Sequence, residues 1–182
     1  MPHINLPEGL PGIRGLMAYS PGTAKALNAL AEVLLREENS LSRSERELIA
    51  TYVSSQNDCL YCQSVHGAVA SFYLEDDGKL IDQVKKDYQQ APVSDKMKAL
   101  LSIAGSVQKG GKEVTPEQIE DARNMGATDK EIHDTVLIAA AFCMFNRYVD
   151  GLATWAPSDP QLYRERSATL AQIGYAGSNP YK

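Results

Sequence analysis

Long apolar runs are missing from this sequence. The longest, Val136–Phe145, holds ten residues, about half of what a helix needs to cross a bilayer, and it predicts a buried core helix instead. A basic surface is missing as well. Eighteen Lys and Arg stand against 23 Asp and Glu, a net charge of −5, and the nearest thing to a basic cluster is Lys85-Lys86 or Arg164 with Arg166. A broad nucleic-acid surface wants clustered positive charge, so that class is excluded. No basic segment leads into an apolar one near the start, where Pro2, Pro7 and Pro11 alternate with Gly9, Gly12 and Gly15; neither an export leader nor a membrane partner is expected. Strand-like alternation is absent. Cysteine is scarce: three residues, an odd number and a poor disulfide framework for secretion. The expected compartment is the cytoplasm.

What remains is a helical pattern. With 182 residues, 43% of them hydrophobic, the chain suits one domain that buries a core without staples. Residues 1–20 read as an extended N-terminal arm lying on a surface, 21–172 as an all-α domain, and 173–182 as a breaker-rich tail that frays unless something holds it. Helices are expected after Pro21-Gly22, with Leu27, Leu30, Ala31, Leu34 and Leu35 on one stripe, and from Ser42 or Ser44, whose Glu45 and Glu47 both satisfy a capping box. Asn57-Asp58 signals a turn before a helix running from about Cys59 to Tyr73. Further helices follow around Leu80–Val84, from Ser94 to about Gln108, from the capping box at Thr115 to Gly126, from Asp129 to about Ala153, and over 161–172. Sliding His66-Gly67 over Asp150-Gly151 lays Cys59 on Cys143 and Cys62 on Asn146, an echo that points to two similar helical halves.

Chemistry concentrates in the run from Glu47 to His66. Cys59 and Cys62 are three residues apart and come within disulfide range at a helix start; Cys62 and His66 are four apart and share a helix face. An imidazole so placed can exchange a proton with the Cys62 thiol, and the unpaired amides of a helix N-terminus favour thiolate over thiol. A thiolate attacks a peroxide or a disulfide. If the helices before and after Asn57-Asp58 pack antiparallel, the Glu47 carboxylate faces the thiols and can relay a proton. Either cysteine can be the attacking one on this geometry, Cys62 being favoured by its histidine. Two other uses of the same residues compete. One is dithiol–disulfide exchange or redox sensing on a partner protein. The other is a zinc site in a helical oligomer, with Cys59, Cys62 and His66 as ligands and Cys143, His133 or Glu47 as the fourth. Cys143 is otherwise expected to pack as a small apolar residue, His133 to be solvated, and Asn146 with Arg147 to serve structure.

The spacing Glu47-x11-Cys59-x2-Cys62-x3-His66 resembles the signature of the alkylhydroperoxidase D-like proteins in the carboxymuconolactone decarboxylase superfamily. Leu10-Pro11-Gly12-Ile13-Arg14-Gly15, the segment from Leu41 to Ala50, and Phe145-Asn146-Arg147 with Asp150-Gly151 look like its "peroxidase-related" branch. The resemblance implies an all-α bundle, a homo-oligomer (dimer, trimer or hexamer), and a peroxidase of peroxiredoxin type that needs no cofactor. It implies hydroperoxide as substrate and an external dithiol or thiol protein as reductant. It also orders the thiols: Cys62 passes through sulfenic acid, Cys59 donates the proton and resolves, and Glu47 with His66 forms the relay. One position departs. Where the best-characterised peroxidases carry a second histidine, just before the second cysteine, this chain has Tyr61, and a phenol with a pKa of about 10 is no proton shuttle at neutral pH. The decarboxylases of the superfamily lack paired cysteines, so decarboxylation is not expected.

Overall fold

The structure is a computed structural model that describes residues 1–177. It is all-helical among those residues: α1 (Ile13–Tyr19), α2 (Pro21–Arg36), α3 (Arg43–Gln56), α4 (Leu60–Leu74), α5 (Lys79–Asp87), α6 (Asp95–Lys109), α7 (Pro116–Asn124), α8 (Asp129–Gly151) and α9 (Pro160–Ile173), with a single 3-10 turn at Gly111–Glu113. Capping chemistry sets most of the starts. Ser42, Thr115 and Thr128 each close a capping box with Glu45, Gln118 and Glu131 respectively, satisfying orphan amides at both ends of the box. Of the two serines that could open α3, Ser42 does so, which releases Glu47 from any capping duty.

α3 and α4 form an antiparallel hairpin and pack on each other more extensively than any other pair; α9 lies along α4, and α8 covers α3 and α6. The core runs between these helices through Ile49, Val53, Leu100, Leu101, Ile103, Ile138 and Phe142. At an order-of-magnitude 1.5–3 kcal/mol for each such side chain withdrawn from water, this layer dominates the stability of the fold. No described helix is long and apolar enough to cross a membrane.

At the chain ends, one expectation needs correction and the other meets its own condition. The N-terminal arm is not wholly irregular, because residues 13–19 form α1 and Leu16 is fully buried. The arm is pinned by His3 N–H donating to Leu152 O (3.0 Å) and Gly12 N–H to Trp155 O (2.9 Å). Seven residues after a proline and a glycine are too few to show a periodicity, so α1 was invisible in the sequence. The first part of the tail does not fray. Its Tyr175 is buried, and the Tyr175 and Ala176 amides both donate to Glu32 Oε2, at 2.6 and 3.1 Å. The remainder of the tail, 178–182, lies outside the described residues.

Candidate active site

The site is built on the α3–α4 hairpin. Asn57 ends α3 and Asp58 takes a positive φ of 56°, turning the chain so that Cys59 becomes the N-cap of α4. Glu47 lies ten residues before Asn57 and His66 nine after it. At 1.5 Å per residue these are about 15 and 13.5 Å from the turn, so an antiparallel hairpin brings them level. They meet: His66 Nδ1 is 2.7 Å from Glu47 Oε2. Gly67, one residue on, lets α5 pack close, since a Cβ there would stand 3.2 Å from Ile81, while Thr51 of α3 would be at an ordinary contact distance of 3.4 Å.

Glu47 is completely buried, as is Cys59, and Cys62 is 3% exposed. A buried carboxylate must be hydrogen-bonded, and both oxygens of Glu47 are. The second, Oε1, accepts from the Tyr175 hydroxyl at 2.6 Å. A carboxylate accepts only, so the proton of the short Glu47–His66 contact belongs to Nδ1. That assignment leaves Nε2 as the ring nitrogen able to take a proton. The imidazole is held in plane by Phe142 edge-on at 4.6 Å and by the Tyr175 ring stacked at 5.7 Å.

Cys62 and His66 line one narrow cavity of about 60 Å³, walled by Val65, Phe142, Phe145 and Leu170, with Arg14, Arg166 and Tyr61 also contributing. Cys59 and Glu47 do not reach it. A wider groove on the other side of α4, about 630 Å³, is lined by none of the four residues. Within the pair, the neighbouring Cys62 and burial both push the Cys59 thiol well above the usual range, so Cys59 is the member that keeps its proton. Asp150, near the end of α8, neighbours Cys59, and burial, partly offset by that thiol, raises its carboxyl above the ordinary carboxylate value.

Other residues weighed from the sequence lie elsewhere. Cys143 is buried, its sulfur 3.6 Å from Asn57 Nδ2 and 4.0 Å from Gln108 O. His133 is exposed beside Asp134. No group of three or more His, Cys, Asp and Glu side chains among the described residues is disposed to hold a metal ion. Asn146 is structural: it accepts from Asn57 Nδ2 (2.8 Å) and donates to Ser54 Oγ (3.0 Å), tying α8 to the end of α3.

Comparison with known proteins agrees with this architecture. Residues 21–73, which include all four residues of the motif, match the carboxymuconolactone decarboxylase family. Among solved structures, the alkylhydroperoxidase AhpD core of an uncharacterized peroxidase-related protein from Ralstonia eutropha JMP134 is 30% identical, with a TM-score of 0.76 over 85% of this chain and 81% of that one. The chain belongs to the alkylhydroperoxidase D-like proteins of the carboxymuconolactone decarboxylase superfamily. An uncharacterized peroxidase-related protein from Silicibacter sp. TM1040 is 28% identical, with a TM-score of 0.75 over 85% of this chain and 78% of that one. A protein of unknown function from Agrobacterium tumefaciens, 21% identical with a TM-score of 0.71 over 87% of this chain and all of its own, shares the fold. No curated protein matches the sequence.

Within this alkylhydroperoxidase D-like fold, the position that departs from the family pattern has a distinct environment. The Tyr61 phenol is pushed up to about 12, mainly by burial, further from neutral titration than a free phenol. Its ring packs edge-on against Tyr163 at 6.2 Å, and Gly12, at a φ of 55°, lies so close that any Cβ would fall on that ring. This contact explains the Pro11-Gly12 element of the arm. Two residues of the site escaped sequence reasoning. Tyr175 sits in a segment read as a loose tail, and no local pattern could place it beside Glu47. Asp150 was legible as part of the Asp150-Gly151 element and in the echo, where it falls on His66, but its place beside Cys59 needed the tertiary fold.

Proposed function

We propose that this protein is a thiol peroxidase that reduces hydroperoxides through Cys62 and Cys59, with Glu47 and His66 moving the proton. The observation that carries the reading is the cavity shared by Cys62 and His66, with the imidazole oriented from behind by Glu47. His66 Nε2 takes the Cys62 proton. The thiolate attacks the terminal oxygen of ROOH, the O–O bond breaks, and the alkoxide leaves as ROH with the proton held by His66. Cys62 is then a sulfenic acid. Cys59, kept as a thiol, attacks that sulfur; an S–S bond forms, and the hydroxyl leaves as water with the Cys59 proton. Asp150 is placed to carry that proton. An external dithiol reduces the disulfide by exchange and is itself oxidised. The mostly apolar cavity favours an organic hydroperoxide.

Burial weighs against a protein disulfide as first substrate. With Cys62 3% exposed and Cys59 fully covered, a small peroxide reaches the thiol through the cavity, whereas a protein partner needs the helices uncovered. The test is single-turnover peroxide consumption by the reduced protein. One peroxide should be consumed per Cys59/Cys62 pair, Cys62→Ser should consume none, and Cys59→Ser should accumulate a Cys62 sulfenic acid that a dimedone-type reagent traps. Peroxide treatment that leaves both thiols titratable in the wild type would sink the proposal.

A further inference from the structure

Among the described residues, Tyr175 is the hydrogen-bond partner of the Glu47 carboxylate that neither α3 nor α4 supplies. Its hydroxyl donates to Glu47 Oε1 at 2.6 Å and stands 3.2 Å from His66 Nδ1, and its ring stacks on the imidazole. The phenol is held well above its ordinary pKa, first by burial and then by the Glu47 charge, so it remains a hydroxyl and a donor. The segment that brings it is clasped. Gly174 adopts a φ of 80° and lies so close to the Glu32 carboxylate that a Cβ would overlap it. The next two amides donate to Glu32 Oε2. Glu32 is itself held by Arg36 at 3.1 Å, and the Arg36 guanidinium donates to the Leu170 and Ala171 carbonyls at the end of α9. A strap of four described residues, 174–177, is therefore latched onto α2 with its aromatic side chain turned into the site.

We propose that Tyr175 is a positioning residue for the Glu47–His66 pair, inserted by a C-terminal strap that the Glu32–Arg36 latch holds closed. The physical need is specific. A fully buried carboxylate with a single donor is under-satisfied and is free to rotate about its last torsion. Occupied on Oε1 by Tyr175, Glu47 can present only Oε2 to His66, and that bond keeps the proton on Nδ1. Nε2 is thereby left as the bare nitrogen of a ring that shares its cavity with Cys62. Without the hydroxyl, Oε1 is left unpaired in the core and the carboxylate can turn about its last torsion off Nδ1; whenever it does, the imidazole is free to take either tautomer. The catalytic meaning of this device rests on the peroxidase reading above; the positioning itself does not.

The experiment reads His66 directly. The chain has three histidines, so long-range proton–nitrogen spectra of the reduced, nitrogen-15-labelled full chain resolve each ring. Wild type is expected to show His66 as the Nδ1–H tautomer. Tyr175→Phe, which keeps the ring and removes the oxygen, is expected to show averaged His66 nitrogens while His3 and His133 stay put. The same variant should slow Cys62 oxidation by peroxide roughly tenfold, in line with losing part of a general-base contribution, with no change in the peroxide concentration needed for saturation. Glu32→Ala, which opens the latch and leaves Tyr175 in the chain, should reproduce both effects. Glu32→Gln keeps a carbonyl for the two amides but turns its NH₂ toward Arg36 Nε, so it should give the same two effects in weaker form. A His66 spectrum in Tyr175→Phe indistinguishable from wild type would reduce Tyr175 to packing and overturn the proposal. Should wild type consume no peroxide at all, the functional reading falls, and the spectra alone still decide the positioning.

Discussion

Replacing Glu47 by glutamine is the most demanding test of the site, because it changes one atom and one charge at constant volume. Glu47 accepts two hydrogen bonds, from His66 Nδ1 at 2.7 Å and from the Tyr175 hydroxyl at 2.6 Å, and is fully buried. A glutamine has one acceptor and one donor end. If its oxygen takes Tyr175, its NH₂ faces Nδ1, which must then become the acceptor; the proton moves to Nε2, and the base that shares the cavity with Cys62 is gone. If its oxygen takes His66 instead, the NH₂ must donate to the Tyr175 oxygen, and the hydroxyl proton has to turn away. One charge-assisted bond is lost either way, about 1.5–3 kcal/mol. The imidazolium formed during proton transfer also loses its counter-charge. At a separation of about 4 Å and an effective dielectric of about 20, that attraction is at most about 4 kcal/mol. The charge assistance of the lost bond is part of that same attraction, so the two do not add; with about 1.4 kcal/mol per factor of ten, a range of about 1.5–4 kcal/mol places the loss between roughly 10-fold and 10³-fold, centred near 10²-fold. Stopped-flow measurement of Cys62 oxidation under single-turnover conditions reads it, with helical content checked by circular dichroism. A folded Glu47→Gln protein that oxidises at the wild-type rate would refute the orienting role and with it the proposed proton path.

Asp150→Asn should leave formation of the Cys62 sulfenic acid unchanged and slow the following disulfide step by about tenfold, the lower end of general acid–base effects; rapid quench with thiol counting separates the two steps. Gly12→Ala should cost roughly 3 kcal/mol, combining about 1–2 for a side chain in the left-handed region with about 1–3 for crowding Tyr61, and should lower Tm by about 10 °C in a thermal melt. Acid should weaken the fold through Glu131 and Asp134. For both, burial alone would raise the carboxyl, but hydrogen bonds outweigh it and the net value lies below normal: Lys96 and Thr128 act on Glu131, and Lys130, Asn39 and His133 act on Asp134. A depressed folded value means that their stabilisation is present above the ordinary carboxylate range, about pH 4, and is lost as pH falls through the lower folded values. Unfolding midpoints followed from pH 6 to pH 3 should drop more steeply in the wild type than in Glu131→Gln.

Helix order and most boundaries were legible from caps and periodicity, because those signals are local. Ser94, Thr115 and Thr128 announce their helices within four residues, and Asn57-Asp58 announces the turn on which the site depends. The short α1 carried no such signal. The two-serine ambiguity at Ser42 and Ser44 closed only when Glu45 took the cap and Glu47 turned inward.

The sequence by itself determined which atoms can do chemistry here. Two thiols three residues apart and an imidazole one turn further on share a helix start whatever surrounds them, because the helical repeat dictates it. It also determined that Tyr61 departs from the family pattern. Tertiary structure decided what those atoms face. It buried Cys59 and opened Cys62 to the cavity, turned Nδ1 of His66 onto Glu47, brought Asp150 from the far end of α8 to the Cys59 thiol, and drew Tyr175 out of a breaker-rich tail into the core. Each of these joins residues tens of positions apart, from 19 for Glu47 and His66 to 128 for Glu47 and Tyr175. A repeat of 3.6 residues carries no information over such a span; only the packing of one helix against another does.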